Sequence, residues 1–254
     1  MKIAVITGAS SGMGREFVCR IAKKETLDEI WVIARRLDRL QALQNETDTR
    51  IRPIPLDLTK KKSWEEYKAL LAAEEPDVRI LINASGFGKF GRFTDMQLGM
   101  MLEMIDLNDK AYVAMTHLTL PYMKEGGQIY QLDSLSAFQP VPYINVYAAT
   151  KAFVLSFSRA LNVELKSRGI HVMAVCPGWV RTEFFDHAVV DDTITYYNKF
   201  FTPEQVVKRA LRDMKRGKDV SVCGASVRRQ VFFTKLLPHK LVMKIWCRQQ
   251  KKKT

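Results

Sequence analysis

The chain has 254 residues, 47% hydrophobic and 26% charged, a composition that supports a buried core and a length that allows one α/β domain. Its net charge of +13 is concentrated in residues 225–254, which contain nine Lys and Arg and no Asp or Glu. No apolar run is long enough to span a membrane, and no secretory signal pattern precedes the first apolar strand. The four cysteines form no paired motif and the four histidines have no metal-ligand spacing, so we expect reduced thiols in the cytoplasm and no metal site.

The first predicted strand, Lys2–Thr7, leads into a glycine-rich loop and then into a helical pattern. Strand, glycine loop and helix in this order are typical of a dinucleotide-binding loop, because glycines allow close backbone approach and the helix N-terminus attracts the pyrophosphate. A plain strand-to-helix turn is the alternative interpretation. The residues of this loop that we expect to bind a cofactor are Gly8, Ser10, Ser11, Gly12, Met13 and Gly14.

The second predicted strand, Glu29–Ala34, ends at Arg35 and Arg36. In folds of this kind a carboxylate at this place binds the adenosine ribose, whereas Arg accommodates a 2′-phosphate. Guanidinium groups match phosphate oxygens in a bidentate manner. The sequence therefore predicts NADP(H) rather than NAD(H), although both arginines could simply be surface charges at the start of a helix over 37–46.

Strands and helices continue to alternate along the chain. The further predicted strands are Ile51–Leu56, Val78–Ile82, Gln128–Leu132, His171–Val175 and a short Val220–Val222, and the further helices cover 62–74, 95–107, 110–124 and 147–166. This pattern predicts an α/β fold, a Rossmann-like doubly wound parallel sheet of about seven strands with helices on both faces. Ligands of such sheets bind at the carboxyl ends of the strands.

Tyr147 and Lys151 are four residues apart, so on a helix both project from the same face. A nearby Lys cation stabilises a phenolate and lowers the pKa of a Tyr hydroxyl toward the range useful for proton transfer. Ser134 could hold a substrate oxygen beside them, which suits the interconversion of ketones and alcohols. Alone, the pair could equally be a solvated helix start.

Together these motifs resemble the short-chain dehydrogenase/reductase family, of the compact single-domain type, from residue 1 to about 182. The shared motifs are Thr7-Gly-x-x-x-Gly12-x-Gly14, Asp57-Leu58-Thr59, Asn83-Ala84-Ser85-Gly86, Asn108, Ser134, Tyr147-x-x-x-Lys151 and Pro177-Gly178-Trp179-Val180-x-Thr182. The resemblance implies that Tyr147 is the acid/base, and that Lys151 lowers its pKa and holds the nicotinamide ribose. It implies that Ser134 orients the substrate oxygen and that Asn108 positions a water linking Lys151 to solvent.

The resemblance also implies the remaining cofactor contacts. Asp57 and Leu58 would contact the adenine, and the segment from Asn83 and Ala84 through Ser85 and Gly86 would border the adenosine ribose. The residues expected around the nicotinamide end are Pro177, Gly178, Val180 and Thr182.

Some residues depart from the family pattern or have a simpler interpretation. Asp133 stands where a second Ser is common, and Ser136 offers a hydroxyl that rivals Ser134, which we favour for its spacing from Tyr147. Asn108 could be a cap between two helices, and Asp57 an N-cap of the next helix.

Residues 179–202 contain seven aromatic side chains in 24 positions, against 10% in the whole chain. A lid that closes over a cofactor and an apolar substrate would use such residues to exclude water. They could instead fill the core or a subunit interface. If they form a lid, a steroid-like, long-chain or aromatic carbonyl, or an acyl thioester, is the expected substrate.

The basic tail 225–254 has an apolar helical face with Leu241, Val242, Ile245 and Trp246, and basic residues every four positions at 240, 244 and 248. A helix of this kind can lie on an anionic membrane. It can equally pack on the substrate cleft or on a neighbouring subunit. We expect no nucleic-acid binding, since no recognised binding module accompanies the charge.

The sequence thus predicts an NADP(H)-dependent oxidoreductase with one catalytic domain over 1–224, including the lid 179–202, followed by the tail 225–254. One alternative is a reductase of 3-oxoacyl thioesters, whose acidic carrier protein would suit the basic surface. Another is a nucleotide-sensing protein that has lost catalysis. By the family resemblance we expect a homodimer or homotetramer built on the helices around 110–124 and 147–166.

Overall fold

Seven parallel strands form the central sheet of the protein, described here by a computed structural model that covers residues 1–189 and 193–252. They are β1 (Lys2–Thr7), β2 (Glu29–Ala34), β3 (Arg50–Pro55), β4 (Asp77–Asn83), β5 (Gln128–Leu132), β6 (His171–Val175) and β9 (Val220–Ser221). Their order in the sheet is β3-β2-β1-β4-β5-β6-β9, so the direction of winding reverses between β1 and β4. The predicted doubly wound parallel sheet is confirmed.

Successive residues of β1 point to opposite faces of the sheet, and each face carries its own apolar core. Ala4 and Ile6 belong to one core with Phe17 of the first helix, whereas Ile3 and Val5 belong to the other. The helices are α1 (Gly12–Ala22), α2 (Leu37–Ala42), α3 (Lys61–Glu74), α4 (Leu98–Ile105), α5 (Ala111–Thr119), α6 (Asn145–Glu164), α7 (Phe184–Ala188), α8 (Pro203–Met214), α9 (Ala225–Leu236) and α10 (His239–Gln249). Strands covered on both faces are apolar at nearly every position, as β1 is.

The two helices predicted over 95–107 and 110–124 are joined. A π-helical segment, Asp106–Lys110, connects α4 to α5, and the backbone stays right-handed helical at both of its ends. No Gly or Pro interrupts this segment, and the Asn108 side chain bonds to other elements instead of capping its own helix. Single π-helical turns are frequent at functional sites.

Two features of the region after residue 178 were not predicted. A small separate sheet pairs β7 (Trp179–Val180) with β8 (Phe200–Phe201), strands too short to give a periodic signal. The helix α8 did have a local signal, since Thr202, Pro203 and Gln205 form a capping box with Pro at the first helical position.

The helices α9 and α10 pack against the segment predicted to be a lid. The Trp246 indole donates a hydrogen bond to the Pro142 carbonyl over 3.0 Å. The Gln250 side chain accepts from the backbone N–H groups of Thr195 and Tyr196 and donates to the Tyr196 carbonyl. The predicted domain boundary at residue 224 stays a prediction. Residues 190–192 of the predicted lid and residues 253–254 of the tail lie outside the described residues. No helix among the described residues is long and apolar enough to cross a bilayer.

The buried carboxylate of Asp213 ties α8 to the strand at the sheet edge. Asp213 is 1% exposed and accepts hydrogen bonds from Arg209 over 2.6 Å and from Ser221 over 2.9 Å. Removing one partner of a buried pair leaves the other uncompensated. We therefore expect Asp213→Ala to lower the free energy of unfolding by about 3 kcal/mol, measured by urea denaturation.

The matched control for this variant is Asp219→Ala. Asp219 pairs with Arg159 on the surface, where both side chains are well exposed. Exposed pairs contribute roughly 0–1 kcal/mol, so equal losses in the two variants would contradict a structural role for the Asp213 pair.

Candidate active site

The loop after β1 has a shape that only glycine permits. Gly8 has a positive φ of 65°, and a Cβ there would lie 2.5 Å from the Ala84 carbonyl oxygen. A Cβ on Gly14 would lie 2.2 Å from the Gly8 carbonyl oxygen. The Thr7 hydroxyl accepts hydrogen bonds from the N–H groups of Ala84 and Ser85, which fixes the end of β4 beside the loop. The cradle fits a phosphate group that approaches the backbone and the N-terminus of α1.

At the adenosine end of this predicted cofactor groove, a carboxylate and two arginines form an ion-pair cluster. Arg36 donates to Glu183 over 3.0 Å, and Arg39 also pairs with Glu183. Arg36 further donates to the hydroxyls of Ser10 and Ser11 over 3.0 and 3.2 Å. Neither Arg39 nor Glu183 was predicted as a site residue. Glu183 follows Arg36 by 147 positions, so no local pattern in the sequence connects the cluster.

The other residues predicted at the adenosine end have different surroundings. Arg35 is exposed at the end of β2. The Asp57 carboxylate accepts from the backbone N–H and hydroxyl of Thr59 over 3.1 and 2.8 Å. Burial raises the pKa of Asp57, but the Thr59 hydrogen bonds and the charge of Arg35 outweigh it and leave this pKa below its usual value. Leu58 next to it is buried.

Asn83 directs its side chain into the protein. Its amide donates to Thr116 and to Gln131 over 3.0 and 2.9 Å, in a buried polar cluster between β4, β5 and α5. Any contact of Asn83 with a nucleotide would therefore come from its backbone.

Tyr147 and Lys151 project from the first turns of α6 into the interior. The Lys151 ammonium donates to the Leu132 carbonyl over 2.8 Å and lies 5.7 Å from the centre of the Tyr147 ring. Ser134, in the loop after β5, lies beside Tyr147, and both side chains line the same cavity. The three side chains predicted to do the chemistry are thus adjacent.

The pKa of Tyr147 lies above its ordinary value, whereas the sequence predicted that Lys151 lowers it. Burial raises the pKa of Tyr147 above its ordinary value, the Ser134 hydrogen bond opposes this, and the charge of Asp133 adds to it. Burial also lowers the pKa of Lys151. The Lys151 ammonium has further N–H donors beyond the one used by the Leu132 carbonyl. These can bond to a ligand as well as to the Tyr147 phenol.

Two carboxyls lie near the Lys151 ammonium, the buried Asp133 and the half-buried Asp109, and only Asp133 was singled out from the sequence. Burial raises the pKa of Asp133 to about 7, against the favourable charge of Lys151 and a 3.4 Å hydrogen bond from the Cys176 thiol. Burial likewise raises the pKa of Asp109 to about 7, with Lys151 again opposing. The Oδ1 atoms of both carboxyls are buried without a hydrogen-bond partner among the described residues.

These carboxyls give a prediction for stability against pH. Unfolded Asp titrates near pH 3.9, so between about pH 4 and pH 7 the folded protein binds more protons than the unfolded chain and loses stability as the pH rises. Asp133→Asn removes part of this loss. Relative to the unaltered protein, the variant should gain on the order of 1 kcal/mol in unfolding free energy between pH 5 and pH 8, measured from urea transitions. A stability difference that is equal at both pH values would contradict it.

Asn108 lies in the π-helical segment and is fully buried. Its carbonyl oxygen accepts from the Phe87 N–H over 3.1 Å, and its amide donates to the Phe87 carbonyl and to the Thr150 hydroxyl. A Cβ on Gly86 would lie 2.9 Å from the Asn108 oxygen. Asn108 therefore joins the loop after β4 to α6, and its predicted water stays a prediction.

The geometry separates the two candidate serines. Ser134 accepts a hydrogen bond from the Ser136 N–H over 3.2 Å and lies close enough to Tyr147 to affect its pKa. The Ser136 hydroxyl is buried and has no hydrogen-bond partner among the described residues. Ser134 is the better placed of the two to hold an oxygen beside Tyr147.

A cavity of about 360 Å³ opens from Tyr147 and Ser134 toward the C-terminal helices. Aromatic side chains dominate one wall, where Phe90, Tyr147, Trp179, Phe184 and Phe185 pack ring against ring. The predicted nicotinamide-end residues Pro177, Gly178, Val180 and Thr182 line it as well, and so does Met13. Phe90 was not predicted as a site residue, whereas Ile245 and Trp246 line the cavity as in the alternative in which the tail packs on the substrate cleft, and Phe233 of α9 joins them.

Comparisons with known proteins agree with this architecture. The family model described as short chain dehydrogenase matches residues 2–192. An uncharacterized oxidoreductase of Staphylococcus aureus strain MRSA252 is 30% identical over 233 residues, which are 89% of this chain and 96% of the relative. A solved short-chain dehydrogenase from Sphingobium yanoikuyae in complex with NADPH is 28% identical, with a TM-score of 0.80 and 96% of each chain covered. The bulky-bulky ketone specific alcohol dehydrogenase from Comamonas testosteroni is 27% identical, with a TM-score of 0.74 over 93% of this chain and 92% of that chain.

Proposed function

The chain belongs to the short-chain dehydrogenase/reductase family and is an oxidoreductase, and from this premise we propose that it interconverts a bulky apolar ketone and its secondary alcohol with NADP(H). The observation that carries the proposal is the large aromatic cavity with Ser134 and Tyr147 as its paired hydroxyls. Apolar pockets with a few convergent polar groups bind apolar ligands and fix their orientation.

NADP(H) would be held by the glycine cradle and by the cluster at the end of β2. Gly8, Gly12 and Gly14 leave space for the pyrophosphate, and Arg36 and Arg39 would bind the 2′-phosphate. The groups proposed around the rest of the cofactor are those predicted from the sequence. When bound, the nicotinamide supplies or accepts the hydride.

Tyr147 would donate its hydroxyl proton to the carbonyl oxygen in reduction and take a proton from the alcohol in oxidation. Ser134 would donate a second hydrogen bond to the same oxygen, holding the reacting carbon in place. Lys151 would stabilise the developing phenolate by its charge. Because the pKa of Tyr147 is raised in the protein alone, this stabilisation is needed for proton loss near neutrality.

The size and the lining of the cavity support a ketone with two large substituents. Phe90, Trp179 and Trp246 line it from three separate parts of the chain, so both sides of a substrate would meet apolar surface. The Comamonas testosteroni enzyme, named as specific for bulky-bulky ketones, supports the same substrate class. A 3-oxoacyl thioester is the second candidate, favoured by the basic residues of α9 and α10.

The outer faces of α4, α5 and α6 support a homo-oligomer. Leu102, Val113, Phe153 and Val163 are large apolar side chains exposed there. Apolar surface of this kind is common in interfaces between subunits. A peripheral membrane contact of the tail is a separate proposal, because it depends on α9 and α10.

The test is NADPH consumption with a graded set of carbonyl substrates. We expect diaryl or steroid-like ketones to have kcat/KM values at least about 100-fold above that of acetone, because each additional buried carbon adds transition-state binding. Faster turnover of an acyl-carrier thioester would favour the second candidate. NADPH binding without turnover of any carbonyl would contradict the proposed reaction.

A further inference from the structure

The helices α9 and α10 expose large apolar side chains that nothing in the described chain covers. Phe232, Phe233 and Leu236 are 60, 57 and 65% exposed, and Leu241 and Ile245 are 45 and 44% exposed. Phe232 and Leu236 are four residues apart, as are Leu241 and Ile245, so each helix presents a pair on one face. Contiguous exposed apolar side chains in a soluble protein mark a contact surface. We call these five residues the α9–α10 apolar surface.

The charged side chains of α9 and α10 are all basic. They are Arg228, Arg229, Lys235, Lys240, Lys244 and Arg248, all exposed, and residues 225–254 contain no acidic residue. Within the ranges 1–189 and 193–252, none of these six forms a salt bridge. A partner that complements them must carry negative charge around an apolar region.

The mouth of the substrate cavity lies in the same surface. Phe233 and Ile245 are exposed to solvent and also line the cavity, and Gln230 and Gln249 of the same two helices line it beside them. A ligand that leaves the cavity on this side therefore meets apolar side chains before it meets bulk water.

We propose that the α9–α10 apolar surface docks the enzyme on an anionic lipid bilayer, with Phe232 and Leu236 among the acyl chains and the basic side chains at the phosphate headgroups. A helix that combines Phe and Leu with a Lys- and Arg-rich border lies in the membrane interface in this way. Long Lys and Arg side chains keep their charges in the headgroup layer while their stems cover apolar surface. An acidic protein would satisfy the charges, but a bilayer also covers Phe232 and Leu236 without needing a shaped groove.

The position of the cavity mouth adds a route for the substrate, an extension that rests on the proposed function. A lipophilic ketone dissolved in the bilayer would enter the cavity past Phe233 and Ile245. The enzyme would then draw on the concentration of ketone in the membrane, which exceeds that in water for apolar compounds.

The first test is sedimentation of the full chain with vesicles of phosphatidylcholine and phosphatidylglycerol in equal parts, and with vesicles of phosphatidylcholine alone. We expect binding to the anionic vesicles only, weakened by salt. The F232S/L236S double variant should reduce the vesicle-bound to free ratio by about 10-fold or more. The control is F93S, which alters a side chain of similar exposure outside α9 and α10. Equal binding of the double variant and the unaltered chain, or equal binding to both vesicle types, would overturn the proposal.

A second measurement reports insertion directly. The chain has four Trp of its own, so the emission that F232W adds to that of the unaltered chain should shift to the blue when anionic vesicles are added and should be quenched by brominated acyl chains. Unchanged emission would overturn the insertion of this side chain. If light scattering instead shows that F232S/L236S breaks up an oligomer of the unaltered chain, and vesicles bind neither protein, the surface is an interface between copies and the proposal fails.

Binding and catalysis remain distinguishable in these experiments. Phe232 and Leu236 do not line the cavity, so the double variant should reduce a water-soluble ketone at the unaltered rate. With a ketone carried in anionic vesicles, the unaltered chain should be faster than the variant, and equal rates would contradict the entry route. If no ketone is reduced, the proposed function fails while the sedimentation result still decides the membrane contact.

Discussion

Replacing Tyr147 by Phe is expected to lower kcat for ketone reduction by about 1,000-fold, the range in which a positioned general acid contributes to catalysis. The ring remains to pack against Phe90 and Phe184, so the fold and the cavity should persist. This loss of rate reflects the missing proton donor. Ser134 can still bind the substrate oxygen, but it does not replace Tyr147 as the acid because no group in the described part of the chain is placed to stabilise the Ser134 anion. Stopped-flow measurement of NADPH oxidation in a single turnover would separate this step from product release.

The control for this variant is Tyr196→Phe. Tyr196 also lines the cavity, so a change in polarity alone should affect both variants. NADPH affinity, measured by fluorescence titration, should change less than about twofold in either. If the Tyr147 variant kept more than about a tenth of kcat, the proton would have to come from another group, and Ser134→Ala would then be the variant to examine.

The second large effect concerns the choice of cofactor. The R36A/R39A double variant is expected to weaken NADPH binding on the order of 100-fold while NADH binding stays nearly unchanged. Hydrogen bonds to charged groups contribute roughly 1.5–3 kcal/mol, and only NADPH carries the 2′-phosphate. Titration of protein fluorescence with each nucleotide measures the two dissociation constants.

Glu183 makes this prediction sharper. Hydrogen bonds from Arg39 and Arg36 hold the pKa of Glu183 below its usual range, so it is an anion that competes with a phosphate for the same arginines. The variant E183Q should therefore bind NADPH several-fold more tightly. R159A, which removes a surface arginine paired with Asp219, is the control. Equal losses for NADPH and NADH in R36A/R39A would contradict 2′-phosphate recognition.

The parts of the site that could be predicted are those encoded by short spacings. Tyr147 and Lys151 share a helix face because they are four residues apart, and the glycine loop is continuous in sequence. The paired capping residues before α8 were equally local, so that helix could have been predicted as well. The parallel order of the sheet followed from the alternation of strands and helices, which leaves few other topologies.

The rest depends on contacts between distant segments. Glu183 meets Arg36 only because the segment after β7 crosses the end of β2. Asp109 approaches Lys151 because it lies in the π-helical segment. The extra residue in a π-helical turn leaves no hydrophobic periodicity from which the turn could be predicted. Trp246 reaches the cavity because α10 folds back on the loop that carries Pro142. In each case tertiary packing, and not local preference, determines the position.

The strand order also has a consequence for synthesis. β1 lies in the middle of the sheet and pairs with β2 and β4, yet it is the earliest of the strands to leave the ribosome. Its apolar residues stay without one neighbour until Asn83 has been translated, a delay of several seconds at roughly 5–20 residues per second. During that interval the cradle of Gly8 against Ala84 does not exist. A nascent chain therefore passes through a stage in which the unpaired edge of β1 is exposed and nucleotide cannot yet stabilise it. We expect chaperones to affect the yield of folded protein more than the supply of cofactor does.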